Sequence, residues 1–269
     1  MIYIFFEKVG RAYIFARTAY LTGRKRSMLN RMYSILDRRL RPLRNHVFLA
    51  FPKHKIAFAR IAEPAFQLLR PVLHCLAGTD KLKALSGFDL RTAATERLLF
   101  HGNVELLTAR ELKRRHPEMK VAAWVQDPMH RLAYCYEKVI LSADPLPAYY
   151  EERQFNQDMT PQEFVSHVAS ISDLEADNLF RSQTAALTYK GMLTADLILQ
   201  LEDFDQSFAT FLSESSLRFR TKSSVAYHVD NFVGRDTLLS FTEDGLVQQL
   251  RRRYKSDYDL FYKPAALSA

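Results

Sequence analysis

His46-Val-Phe-Leu-Ala-Phe-Pro-Lys-His-Lys-Ile-Ala-Phe-Ala-Arg60 is the stretch from which the fold is read. Val47 to Phe51 is a short apolar run rich in Val and Phe, the composition of a buried strand. Pro52 ends it. From Ile56 to Leu69 apolar residues recur at helical spacing, at Ile56, Phe58, Ala59, Ala62, Phe66 and Leu69. The stretch therefore predicts strand, tight turn and helix, with Lys53, His54 and Lys55 in the turn. The free N–H groups and partial positive charge of a helix start attract anions, and two lysines there reinforce the attraction. The turn has no glycine, so the alternative is an ordinary strand-to-helix connection with solvated lysines.

Outward from that stretch, strands and helices alternate. Arg97 to Val104 reads as a second strand ending in a polar turn, and Thr108 caps a helix running to Arg115. Val121 to Val125 is a clear strand that leads through Gln126-Asp-Pro-Met-His-Arg131 into a helix. Thr160-Pro-Gln-Glu163 is a capping box with proline at the first helical position, and its helix runs to Ile171. Ala195 to Leu201 is a further buried strand, followed by Glu202 and a helix from Asp205 to Leu212. Thr242 to Tyr262 reads as one final helix. This alternation predicts an α/β fold with a parallel sheet.

The chain has 269 residues, 48% of them apolar, which is ample to bury a core. Its net charge of +8 and pI near 9.4 favour anionic partners without choosing among them. Nucleic-acid binding would rest on charge alone, because no recognition motif is present, and none is expected. Cys75 and Cys135 form no metal or redox motif and point to a reducing compartment. No apolar run approaches the ~18 residues of a membrane span, and Glu7, Lys8 and Arg11 break the N-terminal apolar stretch as a signal peptide. A cytoplasmic location is expected. Residues 1–36 read as a basic amphipathic helical segment, and residues 1–26 are a candidate for peripheral membrane contact; packing on the chain's own domain is the alternative. Residues 37–269 read as one domain. His54, His101, His116, His130, Asp127 and Glu202 lack the close spacing of metal ligands, and no metal is expected. GxxxxGK[ST] is absent, which argues against a nucleotide-hydrolysing P-loop enzyme.

Five motifs in order then resemble the carbohydrate sulfotransferases. They are FPKHKIAFAR from Phe51, QDPMHRLAYCY from Gln126, DNLFRSQ from Asp177, LILQLEDFDQSF from Leu197 and YKSDYDLFY from Tyr254. The resemblance covers residues 46 to 262. It implies a three-layer, P-loop-like α/β fold with a central parallel sheet flanked by helices. It also implies transfer of a sulfuryl group from 3′-phosphoadenosine 5′-phosphosulfate to a carbohydrate hydroxyl, the acceptor being an acidic or neutral glycan. The donor would be held by Pro52, Lys53, His54, Lys55, Ile56, Ala57 and Phe58 together with Gln126 and Tyr134. Lys53 would stabilise the leaving oxygen. His101, in the segment FHGNV, would be the base, since a His pKa lies near the working pH. Arg181 and Gln183 would face the acceptor or brace a loop.

The donor motifs are degenerate. Ala57 or Phe58 stands where the family opens its helix with Thr or Ser, and Lys55 replaces a small turn residue. Gln126 replaces an arginine that would make charge-assisted bonds to phosphate, Tyr134 replaces a serine, and Asn103 replaces a second histidine. Two functions follow from the resemblance: a carbohydrate sulfotransferase, or a catalytically impaired relative that is a binding or regulatory component of glycan synthesis.

Overall fold

The computed structural model describes residues 46–77, 104–215, 217 and 227–262. All of them belong to one compact unit, Arg44–Ala269. The segment 1–36, the candidate membrane contact 1–26, and His101 and Asn103 lie outside the described residues.

The stretch that opens the sequence folds differently from its helical reading. Phe48–Phe51 is strand β1, Pro52–His54 is a 3-10 turn, and Ile56–Ala59 is a second strand, β2. The two strands pair antiparallel, with Phe51 opposite Ile56 and Phe48 opposite Ala59. Lys55 closes the turn at φ 52°, ψ 36°, and its N–H donates to the Pro52 carbonyl over 3.3 Å. Ile56, Ala57 and Phe58 are therefore strand residues, not the opening of a helix. The physical reason is that IAFA is apolar on both faces, so a strand between two others buries all four side chains. Helix α1 starts only at Glu63 and runs to Ala77. Apolar spacing across 56–69 merged a doubly buried strand with the first turns of that helix, an ambiguity inherent in short apolar runs.

Of the remaining elements, the strand expected over 97–104 lies outside the described residues but for Val104, and the helices from Ala109, Pro128 and Pro161 and the strands at Lys120–Val125 and Leu197–Gln200 form where the sequence predicts them. Strand β3 (Glu105–Leu107) precedes α2 (Ala109–Arg115), whose Thr108–Glu111 capping box is formed in full. Strand β4 (Lys120–Val125) leads into α3 (Pro128–Val139). Then come α4 (Ala148–Glu152), α5 (Pro161–Ser170), α6 (Gln183–Leu187) and a small hairpin of β5 (Thr188–Tyr189) and β6 (Met192–Leu193). Strand β7 (Leu197–Gln200) precedes α7 (Phe204–Ser215). The C-terminal region carries α8 (Arg235–Phe241), α9 (Asp244–Arg253) and α10 (Lys255–Phe261). The single final helix expected over 242–262 is thus two helices. They break at Tyr254, whose buried ring points inward and whose hydroxyl donates to the Phe180 carbonyl over 2.5 Å.

The main sheet has the order β3-β1-β2-β4-β7. Its core is parallel: β2, β4 and β7 run together, while β1 is antiparallel to both its neighbours. Side chains alternate between the two faces. Phe58, Trp124 and Leu199 face α1 and α7, in a core that includes Leu69, Phe204 and Phe211. Ala57, Ala123 and Val125 face the other layer, with Leu112 of α2, Leu187 of α6 and Phe261 of α10. This is the helix–sheet–helix layering of an α/β fold. A third core, helical only, joins α3 to α5, α8 and α9 around Phe164, Phe180 and Tyr254. No described helix is long and apolar enough to cross a membrane.

Candidate functional site

In open α/β sheets, ligands bind beyond the carboxyl ends of the parallel strands. Here that edge carries three junctions: Arg60–Ala62 between β2 and α1, Gln126–Asp127 between β4 and α3, and Leu201–Asp203 between β7 and α7. They are tied together. The Arg131 Nε donates to the Ile61 carbonyl over 2.8 Å, and the Asp127 N–H donates to Glu202 Oε1 over 2.6 Å. The hairpin turn at 52–55 lies at the opposite edge, where the Lys120 N–H at the start of β4 donates to the Lys55 carbonyl. Six residues of β4 separate the two edges, about 20 Å at ~3.3 Å per residue.

The structure therefore does not gather the expected donor residues. Pro52, Lys53, His54 and Lys55 occupy the turn. Ile56, Ala57 and Phe58 are buried in β2, with no polar atom but their strand backbone to offer a ligand. Gln126 is at the carboxyl edge and fully buried. Its backbone exchanges two hydrogen bonds with the Gln183 side chain, at 2.9 and 2.7 Å, and its Nε2 donates to the Tyr227 hydroxyl over 2.8 Å. Tyr134 is buried on α3, and its hydroxyl accepts from Gln67 Nε2 of α1 over 3.2 Å.

Of the two residues expected near the acceptor, Gln183 is wholly buried, and its N–H donates to Asp257 Oδ2 over 2.8 Å. Arg181 is half-buried; its carbonyl accepts from Arg131 and its own guanidinium reaches the Ala185 carbonyl. Both brace the loop between α5 and β5. Arg131 does the same from α3. Its guanidinium donates to the carbonyls of Ile61, Asn178 and Arg181, so this motif arginine is spent on backbone.

Acids to which the sequence reading gave no role in the donor site lie along this edge. Three helices of useful length begin there, and each start carries an acid. Glu63 is in the first turn of α1, exposed. Asp127 caps α3, accepting from the Met129 N–H over 2.8 Å and from the His130 N–H. Asp205 is in the first turn of α7. The partial positive ends that would attract an anion are answered by the chain's own carboxylates. Glu202 adds another: burial raises its pKa, opposed by hydrogen bonds from backbone N–H groups and reinforced by Asp127. The Tyr262 hydroxyl donates to Glu202 Oε2 over 3.4 Å. The hydroxyl pKa values of Tyr227, Tyr258 and Tyr262 are raised by burial first and by Asp127 as well, with Glu202 contributing at Tyr227 and Tyr262. At all four groups burial is the largest cause, and neighbouring carboxylates add to it. Cations at hand among the described residues include Arg60, half-buried with its guanidinium 5.8 Å from the Phe66 ring centre, and Arg251, whose charge opposes the rise at Tyr258.

A nucleotide bearing a 3′-phosphate and a 5′-phosphosulfate does not fit this set of described residues. Its anionic groups would meet Glu63, Asp127 and Glu202 where they need lysine, arginine and free N–H donors. Pro64 at the second position of α1 is the signal in the sequence that marks the true helix start, because proline is favoured in a first turn.

No curated protein and no solved structure matches the chain. Residues 46–263 match the model of the Sulfotransferase family. With that span, and with a mixed α/β sheet whose parallel core carries its junctions at one edge, the chain belongs to the Sulfotransferase family.

Proposed function

We propose that this sulfotransferase-family protein is a binding or regulatory component of glycan synthesis rather than a transferase using 3′-phosphoadenosine 5′-phosphosulfate. The observation that carries the reading is the acid at each of the three helix starts on the carboxyl edge, Glu63, Asp127 and Asp205. An anion site favours helix starts without negative charge, and here Asp127 accepts N–H groups at the start of α3 while Glu63 and Asp205 place carboxylates in the first turns of α1 and α7. Gln126 and Tyr134, the residues that would grip the 3′-phosphate, are buried and engaged with Tyr227 and Gln67. The glycan part of the reading rests on family membership, since the family implies an acceptor as well as a donor.

Calorimetric titration with adenosine 3′,5′-bisphosphate tests it. No heat of binding at millimolar nucleotide is the expected result. Saturable binding would overturn the proposal and restore donor-dependent transfer to a carbohydrate hydroxyl, with His101 as its candidate base. In that case His101→Ala should abolish turnover.

A further inference from the structure

The carboxylates that turn an anion away from the carboxyl edge leave that edge with acceptors to offer. Two buried polar atoms without a hydrogen-bond partner among the described residues lie at the β4–α3 junction. They are Gln126 Oε1, in a side chain with no exposure, and His130 Nδ1. The Gln126 amide meets the Tyr227 hydroxyl through Nε2, over 2.8 Å. Beyond the effect of burial, the charges of Glu202 and Asp127 act on that same hydroxyl. The unpartnered Gln126 oxygen therefore lies in the field of both carboxylates.

Asp127 and Glu202 are half-buried, and neither forms an ion pair with lysine or arginine among the described residues. By contrast Glu105 faces Arg115, and Asp173 is 2.7 Å from the Arg253 guanidinium. Asp257 also lacks a cation, but it is wholly buried and both its oxygens accept N–H groups, from Gln183 and Thr184. In Asp127 only Oδ1 is engaged, by the Met129 and His130 N–H groups, and Oδ2 is left over.

A ligand for this set must donate and carry positive charge. An anion meets two carboxylates. A divalent cation asks for more ligands, and no group of three His, Cys, Asp or Glu among the described residues could hold one. A neutral hydroxyl gives one proton and leaves both charges unanswered. A primary ammonium brings three donors, one positive charge and no acceptor. The Tyr262 ring, whose hydroxyl is on Glu202, is an aromatic surface that a cation also favours.

We infer that the carboxyl edge binds the primary ammonium group of a small ligand, with Asp127 Oδ2 and Gln126 Oε1 as its acceptors and Glu202 as the second charge. In a component of glycan synthesis that ligand is an amino sugar whose nitrogen is not acetylated, so the inference rests on the function proposed above.

The test is calorimetric titration of the full chain with glucosamine. N-acetylglucosamine is the reference, because it keeps the ring and loses the charge. Glucosamine should bind, and N-acetylglucosamine should bind about tenfold more weakly or worse, the worth of one hydrogen-bonded charge. Asp127→Asn removes the charge and keeps the cap of α3, since asparagine caps as well as aspartate. It should bind glucosamine about tenfold more weakly, with an unchanged unfolding midpoint. Glu202→Gln still accepts the Asp127 N–H and should show a loss of the same order. Asp158→Asn removes an exposed acid next to Met159, whose carbonyl takes the Tyr136 hydroxyl in the last turn of α3, and should leave binding unchanged. Adenosine 3′,5′-bisphosphate is titrated in parallel. If neither sugar nor nucleotide binds, the ammonium inference falls and the function proposed above stands. If the nucleotide binds, that function falls and the inference with it. Equal binding of the two sugars makes the ligand a neutral saccharide and overturns the inference. So does wild-type binding by both Asp127→Asn and Glu202→Gln, or an equal loss in Asp158→Asn.

Discussion

The two edges of the sheet divide between them the features that an anion site would combine. At the hairpin edge there are lysines without a helix start: Lys53 and Lys55 flank His54 on an exposed turn. At the carboxyl edge the helix starts meet acids: α1, α3 and α7 begin at Glu63, Pro128 and Phe204, with Glu63, the cap Asp127 and Asp205 at their starts. Charge alone is therefore a poor guide to function. A net +8 suggests an anionic ligand, yet the edge where ligands of such sheets bind carries Glu63, Asp127, Glu202 and Asp205. The difference teaches that the residues that shape the junctions need not be residues that bind: the Asp127 cap and the Arg131 anchor hold backbone.

The sharpest way to break this comparison is to ask whether Phe58 belongs to a loop or a core. In β2 its ring packs against Trp124 and Phe211, with centroids at 6.2 and 5.4 Å. Phe58→Ala should then destabilise the protein by about 3–5 kcal/mol in denaturant unfolding. A loss under about 0.5 kcal/mol is what an exposed binding loop would give, and it would return residues 52–58 to the candidate site. Arg131→Met comes next. Three carbonyls lose a charged donor, and about 3 kcal/mol of stability should go with it. A variant of normal stability would show that Arg131 is free to serve a ligand.

Much of this could be read from the residues. The capping boxes at Thr108 and Thr160, the strands of Val121 to Val125 and Leu197 to Gln200, and the α/β class all follow from local chemistry. The hairpin did not. Ile56, Phe58, Ala59 and Ala62 fit a helical period because a strand buried on both faces has no period to contradict it. The short helix α6 and the β5–β6 hairpin were hidden in a polar region. Their determinants are distant: Asp257 of α10 accepts the N–H groups of Gln183 and Thr184, both at 2.8 Å. The candidate site was legible only in part. Gln126 and Tyr134 stood out as departures from a motif. Nothing local shows that Gln126 is consumed by Tyr227, a residue 101 positions away in sequence.

Charge reversal at the start of α1 sharpens the comparison at lower cost. Glu63→Lys places a cation where the helix end is positive and should lower stability by about 0.5 kcal/mol. It also opens one of the three answered helix starts. A detectable heat with adenosine 3′,5′-bisphosphate is expected in this variant and not in the wild type. Identical titrations of the two would show that Glu63 does not set the affinity of that edge.

The smallest expected effect is one of pH. Burial raises the pKa of Glu202 in the folded protein above its ordinary value of 4.5. In the window from that value upward to the raised one, the folded state holds a proton that the unfolded state has released. Stability must then fall as pH rises through the window, and stay lower above it. Glu202→Gln cannot titrate, and its Oε1 can still accept from the Asp127 N–H. Unfolding midpoints measured across mildly acidic pH should therefore decline for the wild type, with a shallower decline for Glu202→Gln. Parallel profiles would mean that the Asp127 N–H and the Tyr262 hydroxyl fully offset the burial of the carboxylate. The acidic character of the carboxyl edge would then rest on Glu63, Asp127 and Asp205.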